Sequence, residues 1–221
     1  KEISLSTKTI YNILKRHGLN ILKCKIKNRR EWKRFAMKKP NQMVQMDILG
    51  PFYLENCAQK NYFISCEDDC SRKVTSEWSE RKRSIDVIDV LEDYIVENGK
   101  PNKVMHENGK QFKSKIFRRF LKKNNIKDKS IPARYPQLQG KIEAYNKIVK
   151  NEFLAVENIS NVEEGNKMYS MFVKAYNEER EHGGINGYTP LEMFLSKGRL
   201  NNSSSKKIIK QIKESVTHVG K

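Results

Sequence analysis

The sequence predicts an α/β fold in which a mixed sheet is flanked by helices. Residues 43–78 contain short runs of β-branched and aromatic residues separated by turns, which is typical of an antiparallel meander. From about residue 84 onward, apolar residues at helical spacing alternate with short strand-like runs. Strands followed by alternating elements indicate a sheet of mixed strand direction.

The meander consists of three predicted strands, at residues 43–49, 62–66 and 73–78, the first of which is closed by Gly50 and Pro51. A helix follows, because apolar residues recur at helical spacing before the stop signals Gly99 and Pro101. These apolar residues are Ile85, Ile88, Leu91 and Ile95.

The second half alternates short strands with helices. Strands are predicted at residues 104–105 and 129–131 with a helix at 112–121 between them, and two further helices are predicted at 141–153 and 162–176. We divide the chain into a basic segment (1–40), a core (41–196) and a basic tail (197–221).

The first segment begins with a predicted helix at residues 7–17, capped by Ser6 and stopped by Gly18. Two interpretations stay open: the last helix of a helix-turn-helix module, or an ordinary surface helix. Residues 23–39 hold nine basic residues and one acid, which indicates an arm that follows phosphates, with a solvated charge run as the alternative. The residues of this arm that we expect to bind DNA are Arg29, Arg30, Lys33 and Arg34.

The composition favours a polyanionic partner. Lys and Arg number 44 against 26 Asp and Glu, which gives a formal net charge of +18. No apolar run is long enough to span a membrane, so nucleic acid is the expected partner. The four cysteines, Cys24, Cys57, Cys66 and Cys70, lack zinc-ribbon spacing and are expected to be free thiols.

Three acids lie where they can converge on one site. Asp47 lies within the first strand, Glu107 directly follows a short strand, and Glu143 lies in the first turn of a helix. A carboxylate within a buried strand is costly unless it meets a cation or hydrogen-bond donors. Phosphodiester chemistry commonly uses two Mg²⁺ ions held by such oxygen ligands.

The helix that carries Glu143 also offers polar residues on the same face. Asn146, Lys147 and Lys150 follow Glu143 at helical spacing, whereas apolar residues occupy another face. With Lys141, these residues are predicted to contact DNA. A solvated face of an amphipathic helix is the alternative interpretation.

The chain resembles the insertion-sequence transposases and retroviral-type integrases that have an Asp-Asp-Glu catalytic triad. The resemblance covers residues 41–194, and 35 residues separate Glu107 from Glu143, as is usual in that family. The matching motifs lie at residues 45–52, 68–72, 107–112, 140–143, 176–182 and 189–192.

This resemblance implies an RNase H-like fold and metal-dependent DNA end cleavage followed by strand transfer, the chemistry of transposition and DNA integration. Asp47, Glu107 and Glu143 would be the catalytic residues and metal ligands, with Mg²⁺ or Mn²⁺, two ions, as cofactor. The implied partners are transposon ends, target DNA and further copies of the chain. The expected location is the prokaryotic cytoplasm, in association with the nucleoid.

One departure from the family bears on activity, because the second acid is Glu107 where the family has aspartate. An extra methylene displaces the carboxylate by roughly 1 Å, and misplacement on that scale costs on the order of a hundredfold in rate. A DNA-binding relic with impaired catalysis is therefore one alternative, and an RNase H-like nuclease is another. His106 is expected to be structural, and Asp68 and Asp69 are expected to support the hairpin and Arg72.

Overall fold

The computed structural model describes residues 5–19, 36–54, 58–131, 139–157, 159 and 161–197. The chain divides into two units, residues 1–34 and residues 35–221, which we describe separately. In the first unit, α1 (Thr7–Arg16) begins where the Ser6 side chain accepts a hydrogen bond from the Thr9 backbone, and none of its residues is buried. This confirms the predicted helix, while its membership of a helix-turn-helix module stays a prediction.

The second unit is built on a five-stranded sheet with the strand order β3-β2-β1-β4-β5. β1 (Val44–Phe52), β2 (Asn61–Asp68) and β3 (Val74–Ser79) form the antiparallel meander. β4 (Lys103–His106) and β5 (Lys127–Ser130) continue the sheet on the other side of β1, parallel to it. The predicted mixed sheet is confirmed, and β1 lies at its centre.

Two helices cover one face of the sheet. α2 (Ser84–Asn98) and α3 (Lys115–Lys123) pack their apolar sides against alternate residues of β1 and β2. Side chains of a strand alternate between faces, so Met46 lies in this core while its neighbours face the other way. The core on this face comprises Val44, Met46, Ile64, Cys66, Val87, Ile88, Val90, Leu91, Tyr94, Val104, Phe112, Phe117, Leu121 and Ile126.

The opposite face is covered by α4 (Gly140–Ile148), which continues as a π-helical turn at Val149–Leu154, and by α5 (Val162–Glu178). The core here is largely aromatic, and the Phe63 ring stacks on Tyr169 with 4.0 Å between ring centroids. A Cβ atom at Gly165 would lie 2.3 Å from the Trp78 ring, so only glycine allows α5 to approach β3 this closely.

Most predicted elements are present, with boundaries that differ by a few residues. The helix predicted from residue 112 begins three residues later, because the Ser114 side chain caps Lys115–Lys123 by accepting from the Phe117 backbone. The short helix α6 (Pro190–Leu195) was not predicted, although Thr189 and Glu192 form a capping box around a proline at the first turn.

Part of the sequence-based prediction falls outside the described residues. This applies to the basic arm with Arg29, Arg30, Lys33 and Arg34, and to the tail beyond Lys197. Cys66 and Cys70 are buried free thiols, as expected, whereas Cys24 and Cys57 also lie outside the described residues. The described part of the chain holds no helix with the length and apolarity that a membrane crossing requires.

Candidate active site

Asp47 lies on the central strand β1, on the face of the sheet that α4 covers. Its register partner on β2 is Ser65, and the Asn146 side-chain amide of α4 donates a hydrogen bond of 2.7 Å to its Oδ2 atom. The pKa of Asp47 is raised to about 6, mainly by burial and also by the negative charges of Glu107 and Glu143, while hydrogen bonds from the Ile48 backbone and Asn146 oppose the shift.

Glu107 follows the last residue of β4. Because β4 is parallel to β1 and His106 is the register partner of Met46, Glu107 comes one residue further along, at the level of Asp47. The Glu107 side chain is exposed, but its backbone carbonyl oxygen lies 2.7 Å from His106 Nδ1. The second acid therefore extends from a backbone that is held in place.

His106 holds this backbone from a buried position. Its ring is 1% exposed and stacks on Phe112 with 4.7 Å between centroids. The second ring nitrogen, Nε2, lies 2.8 Å from Asp128 Oδ1 on β5. Both ring nitrogens therefore face protein oxygen atoms, which agrees with the structural role expected for His106.

Glu143 lies in the first turn of α4, where the positive end of the helix dipole favours a carboxylate. Its backbone N–H donates to the Gln139 carbonyl oxygen at 3.0 Å, so the residue is already part of the helix. Ile142 and Tyr145 on the same helix are buried, whereas Glu143 is exposed and lines a cleft with the second half of β1.

A cleft of about 500 Å³ joins two of the three acids to basic residues. Asp47 and Glu143 line it together with Lys147 and Lys150, and both lysines are exposed. Glu107 does not line the cleft, although it is near enough to raise the pKa of Asp47. The site therefore combines a partly buried acidic centre with cations at the rim.

The residues present fit a hard divalent cation. Asp47 and Glu143 supply carboxylate oxygens, and the buried Asn146 Oδ1 atom has no hydrogen-bond partner among the described residues. Within that part of the chain, no three His, Cys, Asp or Glu side chains are close enough to hold one metal ion together. Mg²⁺ usually takes only one or two protein carboxylates and completes its shell with water and phosphate oxygens, so two acids suffice.

Lys141, at the start of α4, contacts a different acid. Its ammonium lies 2.6 Å from Asp69 Oδ1 and 3.0 Å from the Asp69 carbonyl oxygen, and the Asp69 side chain is fully buried. The Gln45 side-chain amide also donates to this carboxylate, at 2.7 Å. The DNA contact predicted for Lys141 stays a prediction, and the structure gives its ammonium a partner inside the protein.

Asp68, the residue before Asp69, holds the turn after β2. The Asp68 carboxylate accepts hydrogen bonds from the Asn41, Cys70 and Ser71 backbones, while the Arg72 guanidinium donates to the Asp69 carbonyl oxygen. This agrees with the supporting role expected for Asp68 and Asp69. Both aspartates lie away from the cleft.

The sequence-based prediction did not single out the buried Glu67, and it expected a different partner for Asn146. Glu67 is 1% exposed, its carboxylate has no hydrogen-bond partner among the described residues, and burial raises its pKa to about 8. Asn146 was predicted to contact DNA, and the structure buries it on Asp47 instead of leaving it on the solvent-exposed face. The three-residue spacing from Glu143 predicted that Asn146 lies on the same side of α4 as Glu143. That spacing could not indicate which group the Asn146 amide contacts.

Family comparisons agree with this architecture. Two family models, each described as an integrase core domain, match residues 37–136 and 124–190. An uncharacterized protein of Caenorhabditis elegans is 23% identical over 158 residues, which cover 72% of this chain. The chain spans only 12% of the length of that relative.

Solved structures show the same fold at low sequence identity. A chain of the simian T-cell lymphotropic virus intasome matches with a TM-score of 0.64 and 19% identity. The match covers 72% of this chain and 56% of the intasome chain. The HTLV-2 integrase catalytic core in complex with magnesium matches with a TM-score of 0.58 and 21% identity, over 71% and 97%. The BIV integrase core matches with a TM-score of 0.57 and 20% identity, over 71% and 95%. The mixed sheet and its flanking helices are therefore those of an RNase H-like integrase core.

Proposed function

Because two family models described as an integrase core domain match residues 37–136 and 124–190, we propose that the chain cuts DNA ends and joins the freed 3′-hydroxyl to a second DNA. One observation carries the proposal: Asp47 and Glu143 line a single cleft with Lys147 and Lys150, and Glu107 acts electrostatically on Asp47 from the end of β4. The few acids can bind metal ions, and the many basic residues around them can bind DNA phosphates, as a metal-assisted reaction on DNA requires.

Asp47 and Glu143 would hold the divalent cations, Mg²⁺ or Mn²⁺, two ions, and Glu107 would contribute as the third acid. The bound cations would polarise the reacting phosphate and lower the pKa of the attacking water or hydroxyl. Asn146 orients the Asp47 carboxylate through its 2.7 Å hydrogen bond. Lys147 and Lys150 would hold the phosphates on either side of the reacting bond, because both exposed lysines line the cleft.

The partners and location follow from the same proposal. Transposon ends and target DNA would be the substrates, and joining two ends requires more than one copy of the chain. The HTLV-2 cores were solved in dimeric and trimeric forms. Such a protein would work in the prokaryotic cytoplasm, on the nucleoid.

A second candidate function is DNA binding without useful catalysis. It is favoured by the exposed position of Glu107, which stays outside the lining of the cleft that Asp47 and Glu143 share. The longer side chain alters the reach of the second acid, and the reaction is sensitive to such displacement.

Metal-dependent cleavage and strand transfer on labelled DNA that carries the native element ends tests both candidates. The parent should cut and join with Mg²⁺ or Mn²⁺, Glu143→Gln should lose activity by about a hundredfold to a thousandfold, and Glu163→Gln should keep it. Glu163 is the matched control because it is an exposed glutamate in the first turn of α5.

The Glu107→Asp variant separates the two candidates. If only that variant is active, the chain is a DNA-binding relic. If the parent and Glu107→Asp cut at similar rates, the relic interpretation is wrong. Cleavage of RNA alone, with no joined DNA product, would overturn the proposed function in favour of a nuclease.

A further inference from the structure

A strongly basic surface lies outside the cleft, on α3 and its neighbours. Residues 108–131 contain nine basic residues and one acid, Asp128. That acid already faces the buried His106 ring, at 2.8 Å, and so it is not available to balance the cations around it. Seven exposed cations make up what we call the α3 surface: Lys113, Lys115, Arg118, Arg119, Lys122, Lys123 and Lys127.

None of these seven cations forms an ion pair with any residue that the structure describes. Like charges three or four residues apart on one helix, such as Lys115 with Arg119 and Arg118 with Lys122, repel each other by a few tenths of a kcal/mol per pair, so the folded chain tolerates an unfavourable arrangement here. A partner that carries closely spaced negative charges would remove this repulsion. The charge of the α3 surface therefore fits a polyanion.

The geometry of α3 favours a regular, linear polyanion. Phe117 and Leu121 are buried, and Lys115, Arg119 and Lys122 follow one another at i, i+4 and i+7 on the opposite side. Nine helical residues extend over roughly 13 Å at 1.5 Å per residue. Duplex DNA carries one negative charge per about 1.7 Å of its axis, so several phosphates face a stripe of this length.

The α3 surface and the cleft lie on opposite faces of the sheet. α3 packs through Phe117 and Leu121 into the core that contains Met46. α4 and the π-helical turn after it, which carry Lys147 and Lys150, pack through Tyr145 and Val149 into the core on the other face. Strands β1 and β4 separate the two, so cations on α3 do not belong to the rim of the cleft.

We propose that the α3 surface is a second DNA-binding surface, which holds the phosphate backbone of a duplex away from the reacting bond. The proposal rests on the proposed function, because a reaction between two DNA segments needs a place for each. Phosphate contacts of this kind position DNA without reading its sequence. A duplex of any sequence should therefore bind here.

The test measures the affinity of the full chain for a fluorescent duplex of arbitrary sequence between about 50 and 200 mM KCl without divalent metal. The variant Arg118→Gln, Arg119→Gln, Lys122→Gln removes three cations from the α3 surface. Its matched control removes three exposed cations elsewhere, as Lys100→Gln, Lys167→Gln, Lys174→Gln. Thermal unfolding verifies that both proteins stay folded.

We expect the α3 variant to bind the duplex at least about tenfold more weakly and to lower the slope of log affinity against log salt by about 2 to 3, since each phosphate contact contributes about 0.9. The control should keep the parent slope and affinity within about twofold. Equal losses of duplex affinity in both variants would overturn the second surface. The same titration with single-stranded RNA is a further check, and an affinity loss seen only with that RNA would also overturn it.

Failure of this inference is distinct from failure of the proposed function. A parent that cuts and joins DNA while the α3 variant binds duplex as the control does would overturn the α3 surface alone. A parent that binds no duplex at 50 mM KCl would overturn both.

Discussion

The Lys141 ammonium lies 2.6 Å from Asp69 Oδ1 and thereby joins the first turn of α4 to the turn that follows β2. Glu143 lies two residues beyond Lys141 on the same helical turn. The Asp69 side chain is fully buried and the Lys141 side chain is 17% exposed. A contact between a buried acid and this lysine therefore places α4, and with it the third acid, relative to the sheet.

Replacement of Lys141 by methionine should destabilise the fold, because it leaves the Asp69 carboxylate buried without its cation. Removal of one member of a buried ion pair costs on the order of 3 to 5 kcal/mol in the free energy of unfolding. Urea unfolding measures the loss. Lys147→Met is the control, since Lys147 is exposed on the same helix. Equal stability of the two variants would show that the pair contributes little.

Cation binding should depend on pH through Asp47, whose pKa is raised to about 6 by burial and by its acidic neighbours. Below pH 6 the carboxylate holds a proton that a cation must displace, so Mn²⁺ affinity should fall by up to about tenfold per pH unit. Titration calorimetry at pH 5, 6, 7 and 8 measures this. An affinity that does not change between pH 5 and 7 would contradict it.

The Asn146→Asp variant sharpens the pH measurement. It places another carboxylate beside Asp47, where Asn146 now donates a hydrogen bond. The added negative charge should raise the pKa of Asp47 further and shift the affinity profile to higher pH. A profile that coincides with that of the parent would mean that Asp47 does not control cation binding.

Glu67 should make the stability of the protein decrease as the pH rises. Burial raises its pKa from 4.5 to about 8, so the folded protein binds this proton more tightly than the unfolded chain does. The resulting stabilisation is full below pH 4.5 and is lost as the pH approaches 8. Glu67→Gln, which is neutral at every pH, should be more stable than the parent at pH 8.5. Differential scanning fluorimetry across this range should show a flatter profile for the variant.

His106→Phe should keep the stacking on Phe112 but lose both polar contacts of the ring. We expect the free energy of unfolding to fall by about 1 to 3 kcal/mol. Strand-transfer activity should fall as well, because the Glu107 carbonyl oxygen loses its anchor at His106 Nδ1. His17→Phe is the control, since His17 is exposed at the end of α1. If His106→Phe is as stable and as active as the control, the ring does not position Glu107.

Much of the fold could be predicted because it follows from local patterns. The predicted meander, the helix that ends at Gly99, and the strand before Glu107 are all present. Element boundaries were less predictable. The Ser114 cap makes α3 begin at Lys115 instead of residue 112, and strand pairing extends β1 to Phe52 instead of residue 49. Strand ends depend on pairing with residues that are distant in the sequence. Helix ends depend on which of several nearby residues acts as the cap.

By itself, the sequence determined the element order, the strongly basic charge, and the three acids Asp47, Glu107 and Glu143 as candidates for one site. The tertiary structure alone decided which side chains meet. It places Asn146 on Asp47, Lys141 on Asp69, and the cations of α3 on the face of the sheet opposite the cleft. Helical spacing specifies the side of a helix on which a residue lies, whereas only the packing of that helix determines whether the residue meets a carboxylate, a partner strand or solvent.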